Sequence, residues 1–556
     1  MCLKIILIIF FFIYQNNAYS KNTEVNQFNQ KYLSSYFSAL ILSKNQKNDE
    51  ALKYFNSSKF LINKHDNFLR EYLFSLVLNG QVKKAINQTK HSNNSNFFES
   101  YLLQVLNNLE KKNYKNAKKI LNNLSSLQEI ESYEYVIIKI LESYTNLFLS
   151  KKIDNREDEL GNIDLITKAF QNCYLNSNLT NSYFTNLINS PDGDYSRYLF
   201  FYLGNIIENG EYQVAQEISK TIEPLNSTLL INQANKWISE KKYKKFNNYF
   251  SCKNENDLLA EFFFLISNLY SSDERFKKSN FYLQLSNYLN PNFYFNLSLL
   301  VENYHFNNNF ELAKKILKKF NSEDKIYNWY KIKKIAQIIN EQKGEEKSLE
   351  YIEEKIKNFK NPSTKILYDV GNIYKSLKMY KKSIKYYSIV LSKINNNSSM
   401  YADILYRRGG SYERIGEYKK ADSDLLQSLK IEPNEPYTLN YLAYSWLERN
   451  YKIDEAIEML HRAFDQKKDD PYITDSVGWG YYLIGDYENA EKYLRRAVEL
   501  MPYDPIVNDH YGDVLWQLNR KIQAKYFWKN VLDLEDTEEK MKKNIFNKLL
   551  NGPNKI

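Results

Sequence analysis

The sequence predicts an all-α protein, an α-solenoid in which short helix pairs stack one upon another. The chain has 556 residues, whereas a single hydrophobic core stops growing at roughly 250–300 residues. Only 15 Gly and 10 Pro occur in it, which leaves little turn chemistry for a protein of many strands. Small residues also return at a nearly constant interval. A repeat array of helices explains all three observations.

The interval is clearest in the C-terminal region, where two series of small residues run in parallel. The first series is spaced by 34, 35 and 34 residues and comprises Gly409, Ala443, Gly478 and Gly512. The second is spaced by 35, 34 and 34 residues and comprises Ala421, Ala456, Ala490 and Ala524. A small residue midway along one helix lets its partner approach closely. Because one pair cannot bury its apolar face alone, the pairs must stack.

The same register continues upstream with weaker residues. Counting back from Ala421, the small position of the second helix falls at Ser383, Ser348, Ala313 and Ser279. Near the N-terminus, Ala51, Ala85 and Ala117 are spaced by 34 and 32 residues. Another unit is expected around Tyr212 and Ala215. Most of the chain is therefore predicted to consist of helix pairs.

This pattern resembles the tetratricopeptide repeat family, most clearly in the unit from Asp470 to Pro502. The resemblance implies helix–turn–helix units wound into a right-handed superhelix that binds other proteins. It extends more specifically to exported repeat proteins of Gram-negative bacteria, and that likeness alone supplies the expectation of a periplasmic location. No enzymatic role and no cofactor are expected from it.

The predicted organisation has six segments. They are a signal peptide (1–20), degenerate N-terminal pairs (21–124), an irregular helical and loop segment (125–190), divergent repeats (191–400), well-formed repeats (401–536), and a capping helix with a tail (537–556). The irregular segment is a candidate boundary between two arms of the solenoid. The capping helix is predicted from the apolar residues Met541, Ile545, Phe546, Leu549 and Leu550 at helical spacing.

The N-terminus has the layout of a secretory signal. Lys4 precedes the apolar run from Ile5 to Ile13, and the small-residue pattern Ala18-Tyr19-Ser20 follows. Cleavage is expected after Ser20. The apolar run is far shorter than the ~20 residues that span a bilayer, although an uncleaved membrane anchor is the alternative. Export is therefore predicted.

Cleavage would leave two cysteines, Cys173 and Cys252. In an oxidising compartment they could form a disulfide, and they could equally stay buried as free thiols. The sequence contains no C-x-x-C motif, and its five histidines are scattered. No metal site is predicted.

Charge is unevenly distributed along the chain. The formal net charge is +10, yet residues 401–536 hold 18 Lys and Arg against 25 Asp and Glu. The basic residues elsewhere are mostly lysines scattered among asparagines rather than an arginine-rich strip. Together with the predicted export, this distribution argues against a nucleic-acid partner.

The family resemblance also implies a partner-binding groove lined by the first helix of each unit. The corresponding positions in the last units are Tyr437, Asn440, Tyr444, Tyr472, Asp475, Trp479, Tyr482, Asp509, Asp513 and Trp516, with Ile506 beside them. Asp509 and Asp513 share one helix face, and as an uncompensated pair they hint at a cationic or hydrogen-bonding ligand. The alternative is that these positions are simply solvated.

The lining suggests how a partner would bind. Members of the family that capture C-terminal carboxylates use Lys, Arg and Asn in the groove, so the acidic and aromatic lining makes that mode doubtful here. Exposed Trp and Tyr suit contacts with an extended peptide or a partner helix. The predicted function is an exported protein-interaction scaffold. The alternative is a membrane-tethered accessory subunit of an envelope-assembly or polysaccharide-export system.

No catalytic motif supports an enzyme. The sequence contains neither a phosphate-binding G-x-x-x-x-G-K loop, nor H-E-x-x-H, nor G-x-S-x-G. His510 lies near Asp509 and Asp513, but adjacent helix residues point about 100° apart, so it is expected to pack sideways. A non-enzymatic protein is predicted.

Overall fold

The computed structural model describes residues 30–65, 67–90, 96–127, 130–153, 159–191, 193–223 and 225–553. The predicted signal peptide lies outside these residues. Every regular element in the described ranges is helical, and none of them is a strand. The prediction of an all-α repeat protein is confirmed. The chain divides into two compact units, Met1–Lys357 (unit 1) and Asn358–Ile556 (unit 2).

Unit 1 contains nineteen α-helices within the described residues. They are α1 (Gln30–Lys44), α2 (Asn48–Ser57), α3 (Phe68–Leu78), α4 (Val82–Thr89), α5 (Phe98–Glu110), α6 (Tyr114–Ser125), α7 (Ser132–Ser150), α8 (Asn162–Tyr174), α9 (Thr180–Ile188), α10 (Tyr198–Glu208), α11 (Tyr212–Thr221), α12 (Leu229–Ser239), α13 (Lys244–Tyr249), α14 (Glu255–Ser272), α15 (Phe276–Leu289), α16 (Asn296–Phe306), α17 (Phe310–Leu317), α18 (Lys325–Lys343) and α19 (Glu345–Lys357). Most consecutive helices pack as pairs.

Unit 2 contains eleven α-helices within its described part. They are α20 (Thr364–Ser376), α21 (Tyr380–Leu391), α22 (Ser399–Arg414), α23 (Tyr418–Ile431), α24 (Pro436–Glu448), α25 (Ile453–Gln466), α26 (Pro471–Leu483), α27 (Tyr487–Leu500), α28 (Pro505–Gln517), α29 (Lys521–Asp533) and α30 (Glu539–Asn551). Each pair packs on the next, from α20/α21 to α28/α29, and α30 closes the series.

Small residues make the close helix contacts of unit 2, as the spacing predicts. A Cβ atom placed on Gly478 would lie 2.6 Å from Cγ and 2.9 Å from the backbone nitrogen of Leu494. No larger side chain fits there without moving a helix. The same kind of contact occurs in four helix pairs, each time between a glycine and the residue sixteen positions later in the chain. These contacts are Gly371 with Tyr387, Gly409 with Leu425, Gly478 with Leu494, and Gly512 with Trp528.

Unit 1 is organised differently, because helices α14 and α15 pack across the helices that precede them. We call this pair, residues 255–289, the central hairpin. Phe281 of α15 packs on Phe74 of α3 with ring centroids 4.6 Å apart. Gln284 donates a hydrogen bond to the Leu78 carbonyl at the end of the same helix. The central hairpin thus lies against the N-terminal helix pairs.

The start of the central hairpin is fixed to the preceding helices by covalent and polar contacts. Cys173 and Cys252 form a disulfide with Cα atoms 5.7 Å apart, so of the two possibilities left open by the sequence, the structure has the pair. Two tyrosines, Tyr114 and Tyr174, donate hydrogen bonds to Glu255 at 2.5 and 2.7 Å. These contacts join α6 and α8 to the first turn of α14.

The boundary between the units falls at residue 357 rather than within residues 125–190. The described part of the latter segment contains α7, α8 and α9, and these helices pack within unit 1. Tyr144 of α7, for example, packs against Phe262 of α14 with ring centroids 6.3 Å apart. The proposed division into arms at that segment is therefore wrong.

The predicted capping helix is present as α30, but only part of its apolar stripe is buried. Ile545 is fully buried, whereas Phe546 and Leu550 are 56% and 79% exposed. The inward face instead carries Lys548, which is 8% exposed. Gly552 ends the helix with a φ of +80°. No helix of the described ranges is both long and apolar enough to cross a bilayer.

Candidate functional site on the first helices of unit 2

The first helices of the last three repeats begin with one repeated triplet of an acid, a proline and a large residue. The triplets are Glu435-Pro436-Tyr437, Asp470-Pro471-Tyr472 and Asp504-Pro505-Ile506. In each, the carboxylate of the acid accepts a backbone N–H of the first turn, at 2.6, 3.0 and 2.8 Å respectively. Proline suits this position because its missing N–H would be unpaired there in any case.

The third residue of each triplet is exposed. Tyr437, Tyr472 and Ile506 are 46%, 55% and 52% exposed, and they are separated by 35 and 34 residues. We call these three side chains the exposed row. Since each occupies the same position in its repeat, one large apolar or aromatic side chain is presented per repeat.

Acidic groups lie beside the tyrosines of the exposed row. The nearby carboxylate of Asp470 is the largest cause that raises the pKa of Tyr437. Burial is the largest cause that raises the pKa of Tyr472, and the charges of Asp504 and Asp470 raise it further. The capping acids therefore lie near the exposed tyrosines. Asp470 lies near Tyr437 of the preceding repeat and near Tyr472 of its own repeat, and Asp504 lies near Tyr472 of the preceding repeat. Aromatic and anionic groups alternate along the row.

Deeper on the same helices, three predicted groove positions meet in one cluster. His510 Nδ1 lies 2.9 Å from Asp475 Oδ2, and both side chains are buried. The imidazole stacks on the indole of Trp479 with centroids 4.0 Å apart and planes 13° apart. Tyr482 stacks on Trp479 at 4.7 Å, and Trp479 Nε1 donates to Glu448 at 2.8 Å.

The charge of this cluster depends on His510. Burial by itself lowers the pKa of the imidazole, but the carboxylate of Asp475, helped by Asp509 and Asp513, outweighs it and the pKa is raised. When the imidazole is protonated, it forms an ion pair with Asp475 that joins α28 to α26. As the sequence predicts, His510 packs sideways against the neighbouring repeat.

Asp509 and Asp513 are compensated within the chain, so the prediction of an uncompensated like-charge pair is wrong. The ammonium of Lys548 on α30 lies 2.6 Å from Asp509 Oδ1 and 2.7 Å from Asp513 Oδ2. Asp513 also accepts the indole N–H of Trp528 at 3.1 Å. Burial, then repulsion from Asp509, raise the pKa of Asp513 to about 6 despite the lysine. The pair anchors the capping helix.

The remaining predicted positions are covered to different degrees. Asn440 is half-buried, and its Oδ1 is buried without a hydrogen bond. Tyr444 is half-buried, and burial followed by the charge of Glu448 raises its pKa. Tyr482 is only 1% exposed. Trp516 is half-buried, because Gly552 packs against its indole ring and Trp528 lies 5.4 Å away between ring centroids.

All ten predicted positions thus lie on α24, α26 and α28, which are the first helices of the last three repeats. Within these helices they form two layers. Tyr437 and Tyr472 lie on the outside with Ile506. The others form a partly or fully buried layer that joins neighbouring repeats. Their part in partner binding stays a prediction.

Sequence reasoning missed three features of this region: the pairing of His510 with Asp475, the counter-ion Lys548, and the capping acids beside the exposed tyrosines. A signal existed only for the last. The acid–proline–large triplet occurs three times at the repeat interval, and it would have located the exposed row. Within the described ranges, no three His, Cys, Asp or Glu side chains are arranged to hold a metal ion.

Comparison with known proteins adds the family. A sequence model described as tetratricopeptide repeat matches residues 364–391, 402–435 and 478–504, which all lie in unit 2. These three segments of unit 2 therefore match the tetratricopeptide repeat. The matched segments contain three of the four close glycine contacts described above, those of Gly371, Gly409 and Gly478, so the sequence match and the helix packing agree on the register of those repeats.

Two curated relatives are similar over short stretches. A TPR repeat-containing protein of Pseudomonas aeruginosa is 36% identical over 94 residues, which is 17% of this chain and 16% of that protein. Protein bimA of Emericella nidulans is 26% identical over 85 residues, which is 15% of this chain and 10% of that protein. The chain thus spans less than a fifth of the length of either relative.

Solved structures are similar at lower identity. A tetratricopeptide repeat protein of Parabacteroides merdae is 15% identical with a TM-score of 0.38, covering 46% of this chain and 99% of that one. A tetratricopeptide repeat protein of Thermus thermophilus is 16% identical with a TM-score of 0.30, covering 34% of this chain and all of that one.

Proposed function

We propose that this protein is a scaffold that binds other polypeptides along the exposed row of unit 2. The observation that carries the proposal is the repeated presentation of Tyr437, Tyr472 and Ile506, each about half exposed at the same position of its repeat. Tyrosine supplies a large contact area at a low entropic cost and is frequent among residues that dominate binding energy. A row with this interval favours an extended segment that contacts several repeats at once.

The partner segment is proposed to carry basic side chains. Carboxylates of Asp470 and Asp504 lie beside the tyrosines of the row, and residues 401–536 as a whole are acidic. Lysine or arginine on a partner would meet complementary charge there, which steers association and fixes the register of binding. Arginine would also stack on the tyrosine rings.

The layer beneath the row supports binding by holding the first helices in place. The ion pair of His510 with Asp475 joins α28 to α26, and Lys548 joins α30 to α28. A surface that is rigid before binding loses less conformational entropy when a partner arrives. These residues are therefore positioning groups for the row rather than partner contacts.

The proposal is tested by the affinity of the full chain for an array of extended peptides of graded charge. Replacing Tyr437, Tyr472 and Ile506 by serine together should weaken binding of the basic peptides by roughly a hundredfold, because each large contact contributes about 1 kcal/mol or more. The control replaces three exposed aromatics of unit 1, Tyr54, Tyr294 and Phe306, which are 43%, 45% and 67% exposed. Equal losses in both variants, or a preference for acidic peptides, would contradict the proposal.

We also propose that the chain is exported. The apolar run and small-residue pattern of residues 5–20 support a cleaved signal, and a buried disulfide suits an oxidising compartment. N-terminal sequencing of the mature protein should find Lys21 as the first residue. A start at Met1 in the membrane fraction would favour the tethered subunit instead, and a start at Met1 in a soluble cytosolic fraction would contradict export.

A further inference from the structure

Unit 1 contains a cavity of about 710 Å³ where the central hairpin meets the N-terminal helix pairs. Its apolar lining comes from α3, from the start of α5 and the residue before it, and from the described residues between α6 and α7. These residues are Phe74, Phe97, Phe98, Leu127 and Ile130. The cavity lies far along the chain from the exposed row and takes no part in the proposed function of unit 2.

Glu99, in the first turn of α5, places a nearly buried carboxylate in the lining. The residue is 6% exposed, and its Oε2 accepts no hydrogen bond. Arg70 Nε lies 3.3 Å from that oxygen without donating to it, and the arginine side chain is 45% exposed. Its guanidinium lies over the ring of Phe97 at 5.1 Å. Burial raises the pKa of Glu99, although Arg70 opposes that effect.

The other cations near the cavity are already engaged by acids other than Glu99. Lys277 pairs with Glu71 at 3.3 Å. Lys278 lies 2.6 Å from Glu131 and 3.4 Å from Glu134. Buried carboxylates need donors for their oxygens. Among the described residues of this lining, Glu99 Oε2 is the one buried carboxylate oxygen that accepts no hydrogen bond, so a ligand could satisfy it.

We propose that this cavity binds a protonated amine carried on an aliphatic arm. The ammonium would donate to Glu99 Oε2, and the methylene groups would lie along Phe74, Phe97 and Leu127. An anionic ligand is disfavoured, because the lining contains four carboxylates, Glu71, Glu99, Glu131 and Glu134, against three cations, Arg70, Lys277 and Lys278. Two sources carry this chemistry, namely a free alkyl diamine and a lysine side chain of a polypeptide.

The test is calorimetric titration of the full chain with cadaverine and, separately, with a short lysine peptide. The controls for the probes are pentanol and the same peptide with norleucine in place of lysine, which keep the arm and remove the charge. We expect saturable binding of at least one amine probe and none of the uncharged probes. The probe that binds more tightly identifies the source. Absence of binding by both amine probes overturns the proposal.

Variants of the lining residues test whether the amine binds in this cavity. Glu99→Gln keeps the shape and removes the charge, so amine affinity should fall by roughly tenfold or more. Glu311→Gln is the matched control, because Glu311 is 82% exposed in a surface ion pair with Lys314, and it should bind as the unaltered chain does. If Glu99→Gln fails to fold, Leu127→Trp decides, since it narrows the cavity and leaves Glu99 itself in place. Undiminished binding in the folded variant overturns the assignment.

Discussion

Both units are built from helix pairs, but the side-chain contacts between pairs join residues that are separated by different numbers of residues in the sequence. In unit 1, side-chain contacts link residues far apart in sequence: Tyr114 with Glu255 is 141 residues apart, and Asp49 with Lys315 is 266. In unit 2, most link adjacent repeats, as in Arg449 with Asp422, 27 residues apart. Among the described residues of unit 2, the long-range exception is the exposed pair of Lys378 with Glu538.

This difference has consequences for both stability and function. In unit 1, the central hairpin packs against the preceding helices, so the helix faces at this contact are buried inside the unit. Helices of unit 2 contact mainly their neighbours, which leaves the starts of the first helices open. A nearest-neighbour array has a stability that is roughly a sum over pairs, whereas a unit closed by distant contacts should unfold more nearly as one.

The largest effect should follow from removing the centre of the hairpin contact. Phe281→Ala deletes a fully buried ring that packs on Phe74, and we expect a loss of about 3–5 kcal/mol. Hydrogen exchange followed by mass spectrometry should show protection lost together across α3, α14 and α15. Phe306→Ala, at a ring 67% exposed, is the control. A loss confined to α15 would contradict cooperative closure.

Removal of the disulfide should act on the same unit with a somewhat smaller effect. Cys173 and Cys252 close a loop across 79 residues, and opening it lets the unfolded chain gain freedom, which costs about 2–4 kcal/mol of stability. Denaturant unfolding of the double serine variant, and of the reduced unaltered chain, should show equal losses in unit 1. Unchanged stability after reduction would show that the bond contributes nothing to the closure.

A local change in unit 2 should stay local. Ala490 is fully buried at the contact between α26 and α27, so Ala490→Leu should overpack it and destabilise it by about 1–3 kcal/mol. Exchange should rise in α26 to α29 and remain unaltered in α20 and α21. Lys492→Leu, on the exposed side of the same helix, is the matched control. Melting unchanged by Ala490→Leu would mean that the repeat register is wrong.

The smallest effect concerns pH. Because the folded-state pKa of His510 is raised, its ion pair with Asp475 stabilises unit 2 fully below the unfolded value of about 6.5. That stabilisation is lost as the pH rises through the folded pKa. The fluorescence of Trp479, taken as the difference from a Trp479→Phe variant, should titrate over this window. His510→Gln should abolish the titration, and its persistence in that variant would contradict the assignment.

The fold could be predicted where the packing is local. Gly478 and Ala490 belong to one helix pair, and their spacing encodes the contact that the structure shows. The central hairpin could not be predicted, because contacts such as Gln284 with Leu78 join segments 206 residues apart and leave no periodic trace. The same applies to the division at residue 357.

The candidate site was predictable in position but not in electrostatics. Helical spacing correctly placed Asp509 and Asp513 on one face, yet it carries no information on which residue of another helix lies opposite. Lys548 supplies that charge from the capping helix. In the same way, the spacing could not distinguish exposed Tyr472 from buried Tyr482, because that depends on how the next repeat is seated.

The most direct measurement is site-specific photo-crosslinking in cells that produce the chain. A photoreactive phenylalanine analogue would replace either Tyr472 of unit 2 or Tyr54 of unit 1, which are 55% and 43% exposed. An open, partner-binding unit 2 predicts adducts with other polypeptides at position 472, reduced when Tyr437 and Ile506 are serine, and few adducts at position 54. Adducts mainly at position 54, or none at 472, would contradict the account.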